Sequence, residues 1–179
     1  MHTTITRYCA TCGQTAEAQS AHKYVCHDGH ENWVDPVPGT TLYILNPEGD
    51  AVLYGVRSIG ENAGKLNVPS GYVDMGETAE QAAYREAREE MGVEIELLDI
   101  LGTYTSGRGN QWVLNVVFVA RITSGIPMPG DDLSGGEARW IGADALPGRD
   151  ELAWPWQYAA QQDLQHWLSR QPVAVQKML

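Results

Sequence analysis

Residues 71–93 read GYVDMGETAEQAAYREAREEMGV, and the rest of the chain is organised around them. Thr78 is a good N-cap type and Gln81 follows three residues on, the spacing of a capping box. Ala79, Ala83, Ala87 and Met91 recur every fourth residue and form one apolar stripe. Gly92 is placed to end the helix in the left-handed conformation. The opposite face carries Glu86, Glu89 and Glu90 at i, i+3 and i+4, so their carboxylates project from one side of the last turns. Like charges at this spacing destabilise a helix, and acids near its C-terminus oppose the macrodipole. A divalent, oxygen-seeking cation such as Mg²⁺ or Mn²⁺ would reverse both penalties. The alternative is a solvated acidic face with Arg85 and Arg88 as i,i+4 partners.

The whole stretch decides between these readings. It matches G-x5-E-x7-R-E-U-x-E-E-x-G-U, with U aliphatic, through Gly71, Glu77, Arg85, Glu86, Ala87, Glu89, Glu90, Gly92 and Val93. Ala87 is the soft position, where a larger aliphatic is usual. This pattern resembles the Nudix box of the Nudix hydrolases. The resemblance implies that Glu86, Glu89 and Glu90 ligate Mg²⁺ or Mn²⁺, with the Gly71 carbonyl as an extra ligand. It implies an ion pair between Glu77 and Arg85 that ties the loop to the helix. It also implies cleavage of the diphosphate linkage in a nucleoside diphosphate joined to another group. Such a substrate is anionic, and metal ions neutralise it, orient it and activate the attacking water.

The chain has 179 residues and suits one domain of ordinary size with a small appendage. Its net charge is −11, which argues against a nucleic-acid polymer or an anionic membrane as main partner. Between residues 77 and 99, eight acids and two arginines give −6 of that charge. No apolar run is long enough to span a bilayer, and the N-terminus has no apolar signal core. The expectation is a cytoplasmic protein, monomeric or homodimeric, acting on a small nucleotide.

Three cysteines suit reduced thiols or a metal site better than a disulfide framework. Cys9 and Cys12 form C-x2-C with Gly13 behind, the pattern of a zinc knuckle, and Cys26 follows after 13 intervening residues. The segment is too short and polar for its own core, so a structural metal answers a physical need. His30, at C-x3-H spacing from Cys26, is the choice for fourth ligand, with His27 and His22 behind it. The alternative is a degenerate ribbon without metal. The segment resembles the zinc ribbon preceding the Nudix domain in several subfamilies. Their fourth ligand is usually Cys, where this chain has Gly29.

Asp35 to Gly39 reads as a linker, dividing a ribbon-like segment, 1–35, from a catalytic domain, 36–179. Thr41–Leu45 and Ala51–Arg57 read as strands joined by the hairpin signal Asn-Pro-Glu-Gly-Asp. Arg57 and Lys65 are either surface bases or phosphate contacts. Glu61 to Gly64 is expected as a loop. Beyond the box, Glu94–Leu97 alternates as a half-buried strand, Tyr104–Asn110 reads as a turn, and Val113–Ala120 as a strand buried on both faces. A loop rich in Gly, Pro and Asp runs from Gly125 to Gly136. Glu137 follows it, and in many Nudix enzymes a Glu from such a loop is a metal ligand or the general base. Gly142–Leu146 reads as a helical turn. Pro155 is placed at the first position of a last helix with an apolar stripe of Trp156, Ala160, Leu164, Trp167 and Leu168. Trp154, just before it, is the candidate for stacking on a nucleobase.

The resemblance covers residues 38–170 loosely and 71–93 tightly. It implies a mixed sheet between helices, an α/β/α sandwich, with water attacking one phosphorus and Glu90, Glu89 or Glu137 as base. Ribbon-bearing relatives include NADH pyrophosphatases, whose S-Q-P-W-P-F-P-x-S motif is missing here; Trp154-Pro155-Trp156 is a faint echo. ADP-ribose or FAD is therefore the expected substrate type. A nucleoside triphosphate hydrolase, an NADH pyrophosphatase and a non-catalytic nucleotide sensor are the alternatives.

Overall fold

The computed structural model describes residues 7–20, 23–33, 36–58, 60, 62–108, 111–130 and 137–171. His22, Asp35, Glu61, Asn110, residues 131–136 of the expected loop and the tail 172–179 lie outside them. The chain divides into two compact units, Met1–Pro36 and Val37–Leu179.

The first unit is a four-stranded antiparallel sheet in the order β1 (Arg7–Tyr8), β2 (Thr15–Ala18), β3 (Lys23–Cys26), β4 (Glu31–Trp33). Cys9 and Cys26 are its only buried hydrophobic residues among those described. Short strands with so little apolar burial cannot hold themselves together in water.

The second unit begins with β5 (Val37–Leu45), followed by β6 (Ala51–Val56), β7 (Leu66–Asn67) and β8 (Ser70–Tyr72). Then come α1 (Ala79–Met91), β9 (Glu94–Arg108), β10 (Gln111–Ser124), β11 (Ala138–Gly142) and α2 (Gln157–Ser169). The sheet runs β11-β6-β5-β10-β9, with β7 on β6 and β8 on β5. β5 and β10 are parallel, Val37 beside Val113 through Leu45 beside Arg121, and the other pairings are antiparallel. Period-two alternation along β5 sends Leu42 and Ile44 to one face and Tyr43 and Leu45 to the other. Ala83, Ala87 and Met91 of α1 cover the first face with Leu53 and Phe118. Ala160 and Leu164 of α2 cover the second with Tyr54 and Val117. This is the expected α/β/α sandwich around a mixed sheet.

Buried phenols fix α2. Tyr43 donates to the Gln157 carbonyl at 2.8 Å and Tyr54 to Gln161 Oε1 at 2.8 Å. Gln157 Nε2 in turn donates to Asn67 Oδ1 at 2.8 Å, tying the start of α2 to β7. Each bond spares a buried polar group the cost of lying unpaired.

Four expectations are corrected. Val37, Pro38 and Gly39 are strand, because the parallel ladder to β10 reaches Val37. Tyr104 to Arg108 is strand, not turn, and pairs across the β9–β10 hairpin with Asn115 to Gln111. Ala143 to Leu146 holds a turn and no helix, with a short 3₁₀ turn following at Arg149–Glu151. Pro155 precedes the N-cap, Trp156, rather than occupying the first helical position. No helix among the described residues is long and apolar enough to cross a membrane.

Candidate active site

Helix α1 starts and stops as its residue types dictate. Gln81 N–H donates to Thr78 Oγ1 at 3.2 Å and Thr78 N–H to Gln81 Oε1 at 2.8 Å, a complete capping box. Gly92 closes the helix at φ 66°, its N–H donating to the Arg88 carbonyl at 2.9 Å. With both ends fixed and the alanine stripe buried, Arg85, Glu86, Glu89 and Glu90 are carried to the edge of β8.

Arg85 is the hub. Its Nε and Nη2 clasp the Glu77 carboxylate at 2.9 Å each. Nη1 donates to Glu86 Oε1 at 2.6 Å and to Glu89 Oε2 at 3.0 Å, and Nη2 donates to the Tyr72 carbonyl at 2.8 Å. The guanidinium thus joins the loop, the strand and two of the three helix acids. Hydrogen bonds from Arg85 hold the Glu77 carboxyl below its ordinary range. Glu86 goes the other way. Burial pushes its carboxyl up, and Arg85 only partly opposes this. Arg85 is raised by its hydrogen bond to Glu77 first and, against desolvation, by those to Glu86 and Glu89; for Glu86 itself desolvation decides, reinforced by repulsion from Glu89 and Glu77.

Strand β8 meets these acids with backbone. Ser70 N–H donates to Glu90 Oε2 at 2.7 Å. A Cβ built on Gly71 would lie 1.8 Å from Glu86 Oε1, so the Glu86 carboxylate occupies the space that a side chain at 71 would fill. Glu86 and Glu90 therefore lean on adjacent residues of one strand, and Glu89 joins Glu86 through Arg85. The donors are carboxylate oxygens, which suit Mg²⁺ or Mn²⁺. Among the described residues, the three carboxylates are not one of the side-chain groups brought close enough together to hold a metal ion as they stand.

The NUDIX domain profile matches residues 35–164. The chain belongs to the Nudix hydrolase family. It is 31% identical over 141 residues to an NAD-capped RNA hydrolase NudC of Pseudomonas aeruginosa, covering 79% of this chain and 49% of that protein. It is 35% identical over 88 residues to an ADP-ribose pyrophosphatase of Methanocaldococcus jannaschii, covering 47% of this chain and 50% of the relative. The chain thus spans about half the length of these curated relatives. The crystal structure of a NUDIX hydrolase from Nitrosomonas europaea superposes with a TM-score of 0.72 at 20% identity, over 92% of both chains, a likeness of fold.

The Nudix domain gathers a second set of side chains near β6 and β7. The Arg57 guanidinium lies 5.5 Å from the centre of the Trp154 ring, and Arg57 Nε is buried with no hydrogen-bond partner. Arg57 N–H donates to the Lys65 carbonyl at 2.9 Å, and Ala153 N–H to the Leu66 carbonyl at 2.8 Å. The Arg57 and Trp154 side chains therefore meet beside β7, Lys65 is tied to Arg57 through its backbone, and buried Val68 and Pro69 lead on to β8. Glu137 stands apart from the box acids in its bonding. Arg139 clasps its carboxylate at 2.7 and 2.8 Å and holds it below the ordinary range, while its carbonyl accepts from Val56 N–H at 3.0 Å.

In the first unit Cys9 Sγ, Cys12 Sγ, Cys26 Sγ and a His30 ring nitrogen all lie within 4.8 Å of one another. His30 Nδ1 is 3.7 Å from Cys9 Sγ and 3.5 Å from Cys26 Sγ, and Cys12 Sγ is 3.7 Å from Cys26 Sγ. A tetrahedron with metal–sulfur bonds of about 2.3 Å has sulfur–sulfur edges of about 3.8 Å, so the donors are spaced for one ion. Two turns present them. Gly13 N–H donates to the Cys9 carbonyl at 2.8 Å and Gly29 N–H to the Cys26 carbonyl at 2.9 Å, with φ of 73° and 79° at these glycines. Position 29 thus supplies a turn glycine, and His30 delivers the donor. His27 is exposed and faces Asp28. Desolvation would raise the Cys9 thiol, but backbone N–H groups of Cys12 and Thr11 outweigh it and hold it down at about 5. At Cys12 the Gln14 amide is outweighed by desolvation and by the neighbouring sulfurs, which push that thiol up to about 11.

The sequence had no signal for the backbone partners, the Ser70 amide and the Tyr72 carbonyl, because every residue carries them. Arg139 was visible only as a charge two residues from Glu137.

Proposed function

We propose that this Nudix domain hydrolyses the diphosphate linkage of a nucleoside diphosphate joined to a second group, with ADP-ribose or FAD as the preferred type. The observation that carries the reading is the placement of Glu86, Glu89 and Glu90 on the last turns of α1, against Ser70 and Gly71 and around Arg85. Glu86, Glu89, Glu90 and the Gly71 carbonyl hold Mg²⁺ or Mn²⁺, and the bound ions supply charge neutralisation and an activated water. Glu77 and Arg85 keep the loop and the helix in register. Glu90 or Glu89 takes the proton from water; Glu137, depressed by Arg139, is the weaker base. Arg57 and Lys65 bind phosphate and Trp154 stacks on the base. Cys9, Cys12, Cys26 and His30 hold one structural zinc. Both curated relatives quoted above carry in their names a nucleoside diphosphate linked to a second group. The net charge of −11 favours a small molecule over an RNA chain.

A panel of ADP-ribose, FAD, NADH, nucleoside triphosphates and an NAD-capped oligonucleotide, with Mg²⁺ or Mn²⁺ and mass-spectrometric readout, tests this. Cleavage between the two phosphorus atoms of ADP-ribose or FAD, at the highest kcat/KM, is expected. A preference for triphosphates above about tenfold, 1.4 kcal/mol in transition-state binding, would overturn the substrate ranking. Binding without turnover would favour the sensor reading.

A further inference from the structure

The segment Gly125–Gly130, GIPMPG, leaves the end of β10 and passes over the C-terminal end of α1. Pro127 and Pro129 have no N–H, which leaves Met128 and Gly130 as alternate donors. Both are spent on the helix. Met128 N–H donates to the Met91 carbonyl at 2.9 Å and Gly130 N–H to the Glu90 carbonyl at 2.9 Å. These belong to the last four carbonyls, which a helix leaves without internal partners. Side chains do not anchor the segment, for Ile126 is 82% and Met128 71% exposed.

Backbone approach does. A Cβ on Gly130 would lie 2.4 Å from the Glu89 carbonyl oxygen. A Cβ on Gly125 would lie 2.8 Å from the Gly92 carbonyl oxygen, and Gly125 has φ +98°. The neighbours are backbone in both cases, so no rotamer change relieves the contact. The turn held in this way bears Glu89 and Glu90. It is also the turn that like charges and the helix dipole would fray first, and two N–H groups aimed at its carbonyls oppose that tendency.

We propose that Gly130 is a positioning residue for the cation-binding carboxylates, fixing the last turn of α1 through its backbone contact with Glu89 and Glu90. The proposal rests on the reading that Glu86, Glu89 and Glu90 bind a divalent cation. Titrating the full chain with Mn²⁺, free Mn²⁺ being followed by electron paramagnetic resonance, tests it in the parent, Gly130→Ala, Met128→Pro and Glu90→Gln. Gly130→Ala should weaken Mn²⁺ binding by about tenfold or more, the scale of a lost support behind a metal ligand. The metal-free unfolding midpoint should fall as well, since backbone must move to admit the Cβ, but the loss of affinity should persist at temperatures where the variant is fully folded, which a merely structural role would not give. Met128→Pro removes one donor without crowding Glu89. It should shift affinity the same way by less, and it decides the matter should Gly130→Ala not fold. Parent-like binding in a folded Gly130→Ala, with binding lost in Glu90→Gln, would overturn the proposal and leave the cation site standing. A parent that binds no Mn²⁺ would overturn both.

Discussion

Glu86 is the box acid with most at stake in its protonation. Its side chain is 10% exposed against 60% for Glu89, and burial raises its pKa. A carboxyl whose folded pKa is raised contributes stability below its unfolded pKa, and that contribution is lost as pH rises through the folded value. Metal-free Glu86→Gln should therefore be at least as stable as the parent at pH 7, with the advantage vanishing toward pH 4. A thermal scan at both pH values checks this, and a large loss at pH 7 would refute it. Protons also compete with metal for Glu86, so as pH is lowered Mn²⁺ affinity should begin to fall at a pH above the ordinary carboxylate value of about 4. At Glu90 the amide replacement keeps an acceptor for Ser70 N–H. Glu90→Gln should lose activity by at least about 10²-fold, the scale of general-base or ligand loss, with its unfolding midpoint little changed. Activity near the parent level would remove Glu90 from both roles.

At the scale of elements, α1 is where local chemistry and tertiary position agree. Thr78→Ala deletes one side of the capping box and should cost about 1 kcal/mol, lowering the midpoint by about 2–4 °C for a domain of this size. The exchange of the Gln81 amide should quicken with it; an unchanged midpoint would mean the cap is redundant. This helix was legible because cap, stripe and terminal glycine all lie within the stretch itself. The central strands were legible from their β-branched runs. β7 and β8 were not, since two or three residues show no period. The turn expected from Tyr104 onward misread Gly107, which pairs with Trp112 in the β9–β10 ladder, where a Cβ would lie 3.1 Å from the Trp112 ring. Gly102 likewise lies beside a register shift between Val117 and Phe118. Both are cross-strand facts. Arg57 and Trp154, nominated separately in the sequence, come together only because β7 bridges Leu66 to Leu152.

At the scale of the whole chain, the two units draw stability from different sources. Val37–Leu179 has apolar clusters on both faces of its sheet. In Met1–Pro36 the described residues bury two cysteines and no other hydrophobic side chain. Among the described residues hydrophobic burial contributes little order to that unit, and metal binding by the four converging donors would supply it, as in small domains whose metal binding is their folding. Protein purified without added metal should hold about one zinc per chain by elemental analysis. A strong chelator should then abolish amide protection across residues 7–33 while leaving the unfolding midpoint of the Nudix domain where it was. Cys26→Ser should give the same result without chelator, since the loss of one thiolate leaves three ligands and an open position. Zinc absent from the purified protein, with residues 7–33 still protected, would show that this sheet is ordered by something other than the Cys/His site.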